Sequence, residues 1–163
     1  MRLLKHLFAP SARRVFDETR LRRIAEAIAA DEARHRGEIC FAVEPALDLR
    51  ALWRAASSRA RAEEVFARLR VWDTQENNGV LIYLLLADHR IEILADRGLA
   101  TMVNEEQWRG VCRMMEERLR AGDAEAAVLH GVAATGAFLA EYFPRHAGSS
   151  DRNELADRPY VLE

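Results

Sequence analysis

Val80-Leu81-Ile82-Tyr83-Leu84-Leu85-Leu86 is an unbroken apolar run, and a strand with no polar alternation must bury both of its faces. Any fold open to this chain therefore places that run in the middle of a sheet and covers the sheet on both sides. The following segment, Arg90-Ile91-Glu92-Ile93-Leu94, alternates polar and apolar residues, as a strand with one wetter face does. Ala87-Asp88-His89 between the two is short enough for a hairpin. The second strand of that hairpin is expected nearer an edge. A polar loop, Asp73-Thr74-Gln75-Glu76-Asn77-Asn78-Gly79, leads into the pair, and Asp96-Arg97-Gly98 leaves it.

The flanking segments supply the covers. Asp17 offers an N-cap to a helix with a Leu21, Ile24, Ala25, Ile28 stripe, running to about His35 and closed by Gly37. Glu38 to Glu44 reads as a first strand that Pro45 stops. Leu49 to Arg70, rich in Ala, Arg and Glu, predicts a second helix, so the two strands around it form a βαβ unit. Asn104 can cap a third helix on which Trp108, Val111, Cys112, Met115 and Leu119 share a face. Gly122 stops that helix, Asp123 caps a fourth, and Pro144 follows its end. The reading is a three-layer α/β/α sandwich: a small mixed sheet with a central hairpin, flanked by about four helices. Its expected organisation is a basic amphipathic segment over 1–15, one domain over 16–144 and a flexible tail over 145–163.

Composition narrows the function classes. At 163 residues, half of them hydrophobic and 31% charged, with a net charge of -2, the chain has enough apolar residues for one core and no basic excess for a nucleic acid. No apolar stretch approaches the roughly 18 residues of a spanning helix. MRLLKHLF is too short an apolar core for a secretory signal, so a cytoplasmic location, peripheral to the membrane at most, is the expectation. Cys40 and Cys112 lie in apolar patterns and read as reduced core thiols.

Two places can bear chemistry. Asp73, Glu76, Asn78 and Asp96 bring carboxylate and amide oxygens to loops that an antiparallel hairpin places at the same end of the sheet. Hard cations take such ligands, so a weakly bound Ca2+ or Mg2+ is one reading, and ordinary turn formation by Asp, Asn and Gly is the other. At the N-terminus, Arg2, Lys5, Arg13 and Arg14 accompany Leu3, Leu4, Leu7 and Phe8 at helical spacing. That segment either meets an anionic membrane surface or docks on its own domain. The five histidines show no i, i+4 pair for zinc, and no phosphate loop, nucleophile elbow or Cys-x-x-Cys occurs. No catalytic residue is assigned.

Asn78-Gly79-Val80-Leu81-Ile82, the apolar strand behind it, Asp88-His89-Arg90-Ile91-Glu92-Ile93 and the turn at Gly98-Leu99 resemble the TPM domain. Arg120-Ala121-Gly122-Asp123 before an alanine-rich helix is similar to a Gly-Asp junction of that family, with Ala124 following here. The resemblance spans Phe16 to Phe143. It implies a mixed sheet between helices, and it brings associations with photosystem II repair, weak acid phosphatase activity, divalent-cation binding near the strand ends and membrane assemblies. Asn77 stands where the family has an acidic residue, which removes one anionic ligand.

Together these readings lead to two expectations. The first is a non-enzymatic module that works through an unidentified protein partner, such as a membrane protein, with or without a cation. The second is a weak metal-dependent phosphatase in which Asp73, Glu76, Asn78 and Asp96 hold the ion.

Overall fold

The structure, a computed structural model, describes residues 2–54, 56–146, 148 and 152–163. Met1, Ala55, Ala147 and residues 149–151, which belong to the expected terminal segment, second helix and tail, lie outside the described residues. In chain order the elements are α1 (Arg2–Leu7), α2 (Ala12–Val15), α3 (Glu18–Glu32), β1 (Glu38–Glu44), α4 (Leu49–Trp53), α5 (Ser58–Arg68), β2 (Gly79–Leu85), β3 (Arg90–Ala95), α6 (Glu105–Arg120), α7 (Ala124–Tyr142) and β4 (Tyr160–Val161).

The sheet has the order β3-β2-β1-β4. β1 and β2 are parallel, with Ile39 opposite Val80, and β2 and β3 form the antiparallel hairpin, with Ile82 opposite Ile93. Every residue of β2 is buried. The reason is visible in the two cores. Val80, Ile82 and Leu84 join Ile39, Phe41 and Val43 under α3, α6 and α7, whose contributions include Ile24, Ile28, Met115 and Val128. Leu81, Tyr83 and Leu85 join Cys40 and Ala42 under α5 through Ala62 and Val65. The chain is thus the α/β/α sandwich that the central run demands, with α2, α3, α6 and α7 contributing to one face and α4 and α5 to the other.

Local chemistry sets the helix ends. The Asp17, Asp48, Ser57 and Asp123 side chains each accept a backbone N–H three residues on, at 2.9, 2.7, 3.0 and 3.1 Å. Asn104 and Gln107 form a reciprocal capping box. At the end of α6, Gly122 has φ +87°, its N–H reaches Leu119 O and the Asp123 N–H reaches Arg118 O. That is the left-handed glycine closure foreseen there.

Four expectations are corrected. The helix expected over 49–70 is two helices, α4 and α5, with a separate cap at Ser57. The first long helix ends at Glu32 rather than near His35. Gly37 does not close it in a left-handed turn. A Cβ at Gly37 would sit 2.3 Å from Leu139 Cδ2, so glycine is needed there for close packing against α7. The C-terminal stretch is not a free tail: Tyr160–Val161 pairs in parallel with β1, and the Leu162 N–H donates to Val43 O at 2.8 Å. A two-residue strand is too short to show periodicity, and it is held by a partner distant in sequence.

β3 is an open edge, but a covered one. Glu116 Oε1 accepts the Ile91 N–H at 3.1 Å, and Arg59 Nη1 donates to Ile93 O at 3.1 Å. Side chains from α6 and α5 thereby occupy backbone groups that an exposed edge would offer to another chain.

Candidate functional site at the loop end of the sheet

The loop before β2 is folded tightly against the turn after β3. Asn77 sits in the left-handed region at φ +53°, which asparagine tolerates better than most residues. Its carbonyl accepts the Gly98 N–H at 2.8 Å, and its Oδ1 accepts from Arg97 Nε at 3.0 Å. A Cβ at Gly98 would lie 2.4 Å from that same carbonyl, and a Cβ at Gly79 would lie 2.1 Å from Val71 O. Both glycines are required by close approach of backbone to backbone. Thr74 Oγ1 accepts the Asn78 N–H at 3.1 Å, and the Asp96 N–H donates to Gly79 O at 2.9 Å. The two loops do meet, as the hairpin geometry requires.

The four oxygen-bearing side chains are not equivalent there. Asp73 is half-exposed and paired with Arg70 Nη2 at 2.6 Å, within one loop. Glu76 is paired with Arg36. Asn78 is wholly buried; its Nδ2 donates to Arg36 O at 2.9 Å, while its Oδ1 has no partner. Asp96 Oδ1 accepts the Arg97 N–H at 2.8 Å, and its Oδ2 is buried without a partner. The backbone therefore brings Asn78 and Asp96 to one end of the sheet with an unsatisfied oxygen each, and arginines hold the carboxylates of Asp73 and Glu76. Among the described residues no group of three or more His, Cys, Asp or Glu side chains is arranged to hold a metal ion.

One neighbour of the loop had no sequence signal. The Gln75 N–H donates to the Glu154 carboxylate at 3.0 Å, and the backbone N–H groups of Glu154 and Leu155 reach the two oxygens of Glu38 at 3.0 and 3.1 Å. Glu38 opens β1, and its buried carboxylate docks the C-terminal segment beside the loop. Only a strand-end glutamate inside an otherwise apolar run hinted at a buried role.

The opposite end of the sheet holds the basic N-terminal segment. Arg2 is not free: it donates to Asp88 from Nε at 3.1 Å and Nη2 at 2.8 Å, and to Ala56 O from Nη1 at 3.0 Å. His6 Nδ1 accepts the Leu47 N–H at 2.9 Å, so the ring proton sits on Nε2, 3.1 Å from Asp88 Oδ1. Burial alone would raise the Asp88 carboxyl; hydrogen bonds from Arg2 and His6 outweigh it and hold the group below its ordinary value. Arg13 pairs with Glu18 at 2.7 Å. Lys5 and Arg14 remain as solvent-facing cations.

Neither thiol is poised to react. Both cysteines are free, and burial pushes Cys40 and Cys112 up to about 12. No helix among the described residues is long and apolar enough to cross a membrane.

Solved structures share this arrangement. The BA42 protein of the psychrophilic bacterium Bizionia argentinensis superposes with a TM-score of 0.76 at 26% identity, over 88% of this chain and 93% of that one. The N-terminal domain of a protein from P. gingivalis shows the same fold at TM-score 0.63 and 18% identity, over 81% and 83% of the two chains. No curated protein matches the chain. The model of the TPM domain matches residues 12–138, which include β1, β2, β3 and both sides of the loop-end site, and the chain belongs to the TPM domain family.

Proposed function

We propose that this chain is a non-enzymatic TPM-domain module that works through contacts with a partner and holds a divalent cation weakly at the loop end of its sheet. The observation that carries the cation is the buried, unpartnered Oδ2 of Asp96, with the unpartnered Oδ1 of Asn78 at the same end. A carboxylate oxygen left without a donor in a buried place is costly, and a hard cation relieves that cost with the ligand type it prefers. Asp96 and Asn78 would hold the ion, and the ion would supply the partner that their two oxygens lack. Asp73 and Glu76 would have to leave Arg70 and Arg36 to join them, and Asn77 brings no charge. Affinity is therefore expected near the weak end for calcium sites, on the order of 10⁻⁴ to 10⁻³ M.

Thermal melts test the site. Millimolar calcium should raise the melting temperature of the native chain, sodium at equal ionic strength should not, and Asp96→Asn should remove the response. A native melt that ignores calcium would leave the loop a plain turn. The non-enzymatic part is tested on a generic aryl phosphate with and without chelator. No turnover is expected: both thiols, Cys40 buried and Cys112 half-buried, are held protonated. Chelator-sensitive hydrolysis that disappears in Asp96→Ala would establish the alternative, a metal-assisted phosphatase with a cation-activated water.

A further inference from the structure

α1 is built inside out, and α4 beside it rests only Ala51 and Leu52 on the smaller core. α4 buries none of its residues and α1 buries only His6, yet the two carry much of the exposed large apolar surface of the chain. Trp53 is 86% exposed and Phe8 81%, and Leu3, Leu4, Leu7 and Leu49 are exposed beside them. Helices of six and five residues are far too short to persist on propensity alone. What holds them is polar. His6 accepts the backbone N–H of Leu47, just before α4, and Arg2 donates to the carbonyl of Ala56, just after it, while both grip Asp88 in the β2–β3 turn. α1 thus spans both ends of the α4 segment, with Arg2 and His6 turned inward and Leu3, Leu4, Leu7, Phe8, Leu49 and Trp53 turned to solvent. Core packing does not explain the inversion in α1, because an ordinary surface helix does the reverse.

The charges on the patch that engage no other group are cationic. Lys5, Arg50 and Arg54 are exposed on it and make no ion pair among the described residues. The acidic groups nearby are already engaged: Asp88 by Arg2 and His6, and Asp48 by the Ala51 N–H. Beside α1 lies a mainly apolar recess of about 330 Å³, lined by Phe8, Pro10, Val15, Leu86 and Leu119, with Lys5 and His89 also on its walls. Aromatic and leucine side chains ringed by unpaired cations suit the boundary between acyl chains and anionic headgroups.

We infer that the α1–α4 surface seats this protein on an anionic membrane, with Trp53 and Phe8 entering the interface and Lys5, Arg50 and Arg54 meeting the headgroups. The partner of the module is then a lipid surface, contacted at the end of the sheet opposite the cation loop. The inference deepens the interaction-module reading, and the two fail separately: melts with calcium report the loop end, and vesicles in the presence of chelator report this one.

The test is sedimentation of the full chain with vesicles of phosphatidylcholine alone and of phosphatidylcholine mixed with phosphatidylglycerol, in EDTA. Binding is expected only to the anionic vesicles and is expected to fall as salt rises. Replacing Lys5, Arg50 and Arg54 by Gln should weaken it by roughly fivefold for each charge removed. Trp53→Ala should weaken it by roughly tenfold or more, with an unchanged melting temperature because the Trp53 side chain lies in solvent and not in the core. Vesicles with brominated acyl chains should quench tryptophan emission of the native chain and much less that of Trp53→Phe. Absence of binding to the anionic vesicles overturns the inference. So does quenching equal in Trp53→Phe, or a vesicle-free dimer in sedimentation equilibrium that Trp53→Ala abolishes, since the surface would then belong to a second copy.

Discussion

At the scale of single residues, the notable feature is how many charges this small domain buries and how each is compensated. Glu44 is buried at the end of β1 and accepts from Arg61 at 2.9 and 2.8 Å and from the Tyr83 hydroxyl at 2.5 Å. His35 Nε2 lies 3.1 Å from Asp31 Oδ2. Burial would raise Asp31, but hydrogen bonds and charge from His35 and Arg34 hold it below its ordinary value. Glu32 is the exception. Removal from water is the largest influence on it, Glu38 and Asp157 are like charges nearby, and even the Ile39 N–H donated at 2.7 Å does not prevent its rise to about 9 from an ordinary 4.5. Between those two values the folded chain keeps a proton that the unfolded chain has released, so stability must fall as pH rises through that window. The lowered carboxyls, Asp31 and Asp88, act in the opposite sense and only in acid, below the window. Glu32→Gln, which imitates the protonated form, should melt higher than the native chain at pH 8 and show a flatter profile between pH 5 and 9. Parallel profiles for the two proteins would mean that Glu32 is ionised in the fold.

At the scale of elements, α7 shows why glycine occurs inside a helix at all. A Cβ at Gly136 would lie 1.3 Å from Asp31 Oδ2 on α3, and one at Gly131 would lie 2.3 Å from Met115 Sδ on α6. Glycine costs a helix interior about 1 kcal/mol relative to alanine, and here that loss admits two neighbouring helices at close range. The two positions differ in what must yield: the Met115 side chain is flexible, whereas Asp31 is tied to His35 and Arg34. Gly136→Ala should therefore destabilise the protein by about 1–3 kcal/mol despite its better helix propensity, and Gly131→Ala by less. Urea unfolding of both variants measures the difference. Equal stabilisation of both would show that α3 and α6 pack more loosely against α7 than their side chains indicate.

At the scale of the whole molecule, the last residues complete the sheet. β4 occupies the outer edge of β1, Leu162 enters the smaller core, and the Glu38 carboxylate receives two backbone N–H groups of the segment. A free tail would make Leu162→Ala neutral. In this fold the substitution should cost about 2–3 kcal/mol, as truncation of a buried leucine does, and the Leu162 amide, bonded to Val43 O, should exchange slowly with solvent. Hydrogen exchange that is fast at Leu162 in the native chain would detach the segment from the domain. The two ends of the sheet are also divided in kind. One carries tight turns and unpartnered oxygens, and the other carries an apolar, basic surface.

The sequence alone determined the elements whose burial is dictated by their own pattern. Val80 to Leu86 had to be a central strand, Arg90 to Leu94 had to lie nearer an edge, and the stripe from Trp108 to Leu119 had to face a core, because period and side-chain type decide which faces leave water. Asn78-Gly79 and the Gly98 turn were legible as turn formers and as marks of the family resemblance, and the structure adds that close backbone approach admits only glycine there. Tertiary structure decided what sequence period cannot encode, namely which partner each face or charge meets. Asp73 and Glu76 read as free ligands until Arg70 and Arg36 were found against them. Tyr160–Val161 is too short to announce a strand, and its partner lies more than a hundred residues away. The apolar residues of the N-terminal segment could have met a membrane or docked on the domain, and the polar pins of Arg2 and His6 on Asp88 turned them outward, because amphipathic spacing states that a helix has two faces and leaves to the rest of the fold which one meets water.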